Sequence, residues 1–82
     1  MNLSDLPNGS HAFVTELLRV GAEVGDATLR RLAELGFIEG EPVQVLRRGP
    51  GGREPLAVQV GDTQFALRLV EARCIQVQST AQ

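Results

Sequence analysis

The side chains with the widest chemistry in this chain are one histidine, His11, and one cysteine, Cys74. Metal sites recur as ligand pairs at fixed spacing, such as two cysteines two apart or two histidines on one helical face. Neither pair occurs here. A single histidine gives no support for a Ser-His-acid or Cys-His relay. The glycines of "GPGG" lack the lysine and following Ser or Thr of a phosphate-cradling loop, so the stretch reads as a hairpin tip. No metal, no cofactor and no catalytic residue is expected, and the protein is read as not an enzyme. His11, beside a turn, is read as a solvated or capping histidine. Cys74 lies in the alternating run "ARCIQV" and is read as a small core hydrophobe.

That leaves the arginines. All eight basic residues are Arg and none is Lys. Arg30 and Arg31 adjoin on a helical stretch, Arg47 and Arg48 lead into the glycine-rich hairpin, and Arg53 stands at its tip. Solvated surface is the default for exposed charges. The functional alternative is docking onto an acidic or phosphate-bearing partner, because the guanidinium fork grips carboxylates and phosphates through two bonds. Both readings stay open on the sequence alone.

The elements that must position these residues follow from periodicity. "LSDLPNGS" is an ordered lead-in, with Leu3 and Leu6 packing onto the body and "PNG" as a turn. "HAFVTELLRV" reads as a strand with Phe13, Leu17 and Val14 as inward candidates. In "GDATLRRLAELG", Asp26 is a candidate helix cap. Leu29, Leu32 and Ala33 then form one apolar face, with Arg30, Arg31 and Glu34 in water. Gly36 sits where a left-handed cap is cheap only for glycine, and Phe37 is expected to fold back over the last turn. Ile38 then begins the sheet and Gly40 opens a second turn. The alternative is that Phe37 or Ile38 stays exposed as an anchor for a partner. "PVQVL", "PLAVQV", "QFAL" and "CIQV" supply further short strands, "RLVEA" one helical turn, and residues 78–82 a tail expected to fray. The predicted fold is mainly β: a small barrel of about five strands with one inserted helix and a short helical turn before the last strand.

Size and charge bound the function. Eighty-two residues make one domain, which at this size buries only about 60% of its unfolded surface. A net charge of −2 argues against a nucleic-acid partner. The absent signal-peptide pattern, the absent apolar run of about 20 residues and the lone cysteine together predict a cytoplasmic protein with no direct membrane insertion. All three Phe are read at core-like positions, and Trp and Tyr are lacking, so a proline-rich-peptide groove is not expected.

Several spaced elements occur in the order of a known family. They are Leu35, Gly36, Phe37 and Gly40; the run Gly49 to Pro55 with Leu56; and Ala66, Leu67, Arg68, Glu71, Ala72 and Ile75. With the opening "LSDLPNG", this pattern resembles the FeoA family across nearly the whole chain. The resemblance implies an SH3-like barrel. It implies a small cytosolic accessory of bacterial ferrous iron uptake, whose partner is the cytoplasmic, GTPase-bearing region of the FeoB-type membrane transporter. A GTPase-activating role would need an exposed arginine reaching a nucleotide site, for which Arg53 and Arg48 are the candidates, and plain docking is preferred. Arg68, three residues before Glu71, is read as one half of a structural ion pair. Two alternatives come from other classes: a homo-oligomeric interaction domain using its sheet edge, and a stand-alone relative of the carboxy-terminal module of metal-dependent repressors.

Overall fold

The helix–strand seam around Gly36 organises the molecule. In a computed structural model, which describes residues 1–80, helix α1 spans Asp26–Leu35. Its cap is Gly25, whose carbonyl accepts the Thr28 and Leu29 N–H groups at 3.1 and 3.3 Å. Asp26, expected as the cap, is instead the first helical residue. There its charge faces the positive end of the helix and pairs with Arg19 at 3.1 Å. Leu32 is buried, Leu29 and Ala33 are half-buried, and Arg30 and Glu34 are exposed, the division that a 3.6-residue period produces.

Gly36 ends the helix at φ 119°, and the Phe37 N–H donates to the Leu32 carbonyl at 3.1 Å. That bond turns the chain back over the last turn. It drives the Phe37 ring to full burial, 6.0 Å from the Phe65 ring centroid. Ile38 points outward, 51% exposed, rather than descending into the sheet. Gly40, at φ 90°, donates to the Val14 carbonyl at 2.8 Å while the Val14 N–H donates to Glu41 at 2.9 Å. The exit from the helix is thereby stitched to the first strand.

The strands are β1 (His11–Leu17), β2 (Pro42–Gly49), β3 (Arg53–Val60), β4 (Thr63–Leu67) and β5 (Ile75–Ser79), with a short helix α2 (Leu69–Ala72) before β5. They form one antiparallel sheet in the order β4-β3-β2-β1-β5, so the fold is mainly β, with α1 inserted between β1 and β2. Val43, Val45, Val58, Val60, Ile75 and Val77 face the core. A 3₁₀ turn, Leu3–Asp5, plugs one end with buried Leu3 and Leu6.

Register slips in β1 and β2, and a further one between Arg48 and Gly49 at the base of the hairpin, break the two-residue alternation. In β1 the register with β5 slips between Val14 and Glu16, so Ala12, Val14 and then Leu17 face inward. Phe13, expected in the core, is therefore 47% exposed on the outer face. In β2 the register with β3 slips between Val45 and Arg47, which moves Arg48 rather than Arg47 to the inner side. Of the tail expected to fray, the first two residues continue β5. Gln78 and Ser79 lie in the strand, and the Thr80 hydroxyl donates to the His11 carbonyl at 3.2 Å. Ala81 and Gln82 lie outside the described residues.

Candidate interaction surface

The five candidate docking arginines divide by what each guanidinium touches. Arg48 is half-buried and donates to the carbonyls of Ser4 and Leu6 at 2.9 and 2.6 Å. It ties the amino-terminal turn to β2. Arg31, read from the sequence as solvated, donates to the Glu71 carboxylate at 2.5 Å, joining α1 to α2. Arg30, Arg47 and Arg53 are exposed, and among the described residues none of the three carries an ion pair. Arg47 and Arg53 stand on the two arms of the β2–β3 hairpin, where Arg47 pairs with Ala57 and Arg53 with Gly49. Arg30 lies on a different element, α1. The candidate surface is therefore the hairpin, with Arg30 as a separate cation.

Among the described residues Glu71 is the buried charge, its side chain 6% exposed. One carboxylate oxygen accepts the Arg68 N–H at 2.9 Å, capping α2, and the other takes Arg31. The Arg68 guanidinium stands 3.9 Å away. The Arg68–Glu71 spacing announced the local half of this arrangement. Arg31, 40 residues distant, carried no local signal. Removing a partner of a fully buried carboxylate costs about 3–5 kcal/mol. Because Arg31 itself is 54% exposed, we expect Arg31→Ala to cost about 1–2 kcal/mol. Urea unfolding of Arg31→Ala, Glu71→Gln and the double variant should show coupling between the two sites, while Arg30→Ala stays within about 0.5 kcal/mol of the parent. Equal effects of Arg30→Ala and Arg31→Ala would refute the structural role of Arg31.

The two other reactive side chains lie far apart. His11 opens β1 and is exposed. Cys74 is fully buried beyond the other end of β1, with its thiol directed at the Val70 carbonyl at 3.4 Å. Among the described residues no group of three His, Cys, Asp or Glu side chains is placed to hold a metal ion. On the outer face, His11, Gln44, Gln59 and Gln64 align in one cross-strand row. A hollow of about 110 Å³ between His11, Pro42, Gln44 and Gln59 is well below the ~300 Å³ of a small-molecule site. No described helix is long and apolar enough to cross a membrane.

Comparison with known proteins gives this fold a family. The FeoA domain model matches residues 1–79. The chain is similar to the Stenotrophomonas maltophilia FeoA protein crystallised with zinc, at 49% identity over 95% of this chain and 89% of that one, with a TM-score of 0.83. It is similar to the Chlorobium tepidum FeoA protein at 34% identity, covering 99% of this chain and 71% of that one, with a TM-score of 0.84. A manganese-dependent transcriptional repressor shares the fold at 20% identity and a TM-score of 0.78, with this chain covering 36% of the repressor's length. Comparison with curated proteins gave no match. The match over residues 1–79, carried on an SH3-like sheet with its helix inserted after the first strand, shows that this chain belongs to the FeoA family.

Proposed function

We propose that the protein is a cytoplasmic accessory of bacterial ferrous iron uptake that works by binding other proteins, and that its partner is the cytoplasmic region of an FeoB-type membrane transporter. The observation that carries this reading is the family match along nearly the whole chain. The Stenotrophomonas relative is described as an SH3-domain protein and a candidate activating factor for ferrous iron transport, which supports the same assignment here. The partner recruits the protein to the inner face of the membrane. Arg47 and Arg53, exposed on one hairpin and without intramolecular ion pairs among the described residues, supply a surface that fits acidic side chains. Plain docking accounts for both arginines, whereas an arginine acting on nucleotide would involve Arg53 alone.

Amide NMR titration with the soluble GTPase-bearing region of the cognate transporter tests this. Shifts should cluster between Arg47 and Glu54, and Arg47→Ala and Arg53→Ala should each weaken binding about tenfold, the effect of losing a well-placed interfacial arginine. A flat titration overturns the docking. In a hydrolysis assay at saturating protein, Arg53→Ala should leave the GTP hydrolysis rate unchanged. A fall approaching the roughly 10³-fold attributable to an arginine finger would instead make Arg53 part of the GTPase site.

A further inference from the structure

The two edges of the sheet are treated differently. Beside β5, Asn2 forms a bridge to Gln76, and the Val77 N–H donates to the Met1 carbonyl at 3.0 Å. Strand β4 has no such cover. Among the described residues no hydrogen bond from outside the sheet reaches its backbone, and Thr63, Gln64 and Ala66 are exposed. It also lacks the usual protections of a bare edge, which are charge, proline and a bulge. Its residues read Thr-Gln-Phe-Ala-Leu, and its register with β3 runs without a slip from Val60–Thr63 to Leu56–Leu67.

The direction of its free backbone groups follows from the turn. Gly61 and Asp62 form a two-residue hairpin closed by Val60 and Thr63. The closing pair of such a hairpin is hydrogen-bonded, and alternation makes Val58–Phe65 and Leu56–Leu67 the next bonded pairs. Gln64 and Ala66 therefore direct their N–H and C=O groups away from β3.

We propose that β4 is a self-association surface, pairing antiparallel with β4 of a second copy about a two-fold axis at Phe65. In this register Gln64 of each copy lies opposite Ala66 of the other, and the outward-facing groups of both residues are satisfied. Phe65 meets its own counterpart. The flanking charges choose both the occupant and the register, because Asp62 of one copy falls opposite Arg68 of the other, twice by symmetry. Both residues are exposed, the Arg68 side chain at 69% even with its guanidinium 3.9 Å from the Glu71 carboxylate. Moving the axis to Gln64 or Ala66 loses both charge pairs. A strand this short buries less than the ~1,200 Å² of a standard interface, so the dimer is weak and depends on concentration.

Sedimentation velocity on the full chain from micromolar to millimolar concentration tests the proposal, together with isotope-filtered NOE spectra of mixed labelled and unlabelled protein. The expected result is a monomer–dimer equilibrium with intermolecular contacts between Gln64 and Ala66. Ala66→Pro removes an outward N–H without touching the ladder to β3 and should give a monomer. Asp62→Arg, in an exposed turn, sets like charges opposite one another and should lower the association constant about tenfold while leaving the amide spectrum folded. A chain that is monomeric throughout overturns the proposal. So does a dimer that lacks the Gln64–Ala66 contacts or is indifferent to Asp62→Arg.

Discussion

Phe37→Ala should lower the unfolding free energy by about 3–5 kcal/mol, the range for truncating a fully buried aromatic ring. Phe37 is completely buried and its ring lies at 51° to that of Phe65, so truncation removes a tilted aromatic contact and leaves a cavity. A domain of 82 residues has roughly 4–12 kcal/mol of stability in total, so this one change removes a large part of it. The denaturation midpoint in urea should fall with an unchanged slope. Ile38→Ala, one residue on and half exposed, should move the midpoint by less than about 0.5 kcal/mol. Similar losses at the two positions would mean that the ring does not occupy the core as described. The contrast also separates a structural role for Phe37 from an anchoring one, because an exposed anchor would lose partner binding and keep its stability.

Gly49→Ala should be the next most damaging change, at about 2–3 kcal/mol. Gly49 has φ −71°, which suits any residue, so the constraint is space and not backbone conformation. An added Cβ would overlap the Glu54 carbonyl oxygen and stand 2.8 Å from Pro55 Cδ. Both obstacles belong to the opposite arm of the hairpin and neither can rotate away. The arms must separate, which displaces Arg53, the residue paired with Gly49. At the hairpin tip, Gly51 and Gly52 have φ 74° and open space around them. Alanine there costs only the left-handed penalty of about 1–2 kcal/mol. Amide shifts in Gly49→Ala should extend from Arg47 to Leu56, and those of Gly51→Ala should stay at the tip. If Gly49→Ala proves no more costly than Gly51→Ala, the close approach of the two arms is wrong. Because the same hairpin carries the proposed docking arginines, Gly49→Ala should also weaken transporter binding more than Gly51→Ala does.

These two positions show how differently parts of the molecule depend on context. The helix exit was legible in "LGFIEG" because a glycine cap and the apolar residue behind it act within one turn. Strand number, the inserted helix and the short turn before β5 were legible for the same reason: each rests on local alternation, turn residues or a single helical period. The family pattern combines these local signals in order, so it too could be read along the chain.

Which way a given side chain faces was decided by pairing. A bulge after Val14 and another after Val45 each reverse the alternation midway along a strand. Whether an extra residue is accommodated depends on the neighbouring strand, which lies far off in sequence. Phe13 therefore faces out and Arg48 turns in, against a uniform reading of either strand. Glu71 likewise finds Arg31 only when α1 and α2 meet. The amino-acid sequence by itself determined the elements, their order and the cap that joins helix to sheet, because those depend on neighbours a few bonds away. Only the tertiary structure decided which arginines hold the fold, Arg48 on the Ser4 and Leu6 carbonyls and Arg31 on Glu71, and which carry no ion pair among the described residues, because that depends on groups brought together from distant parts of the chain.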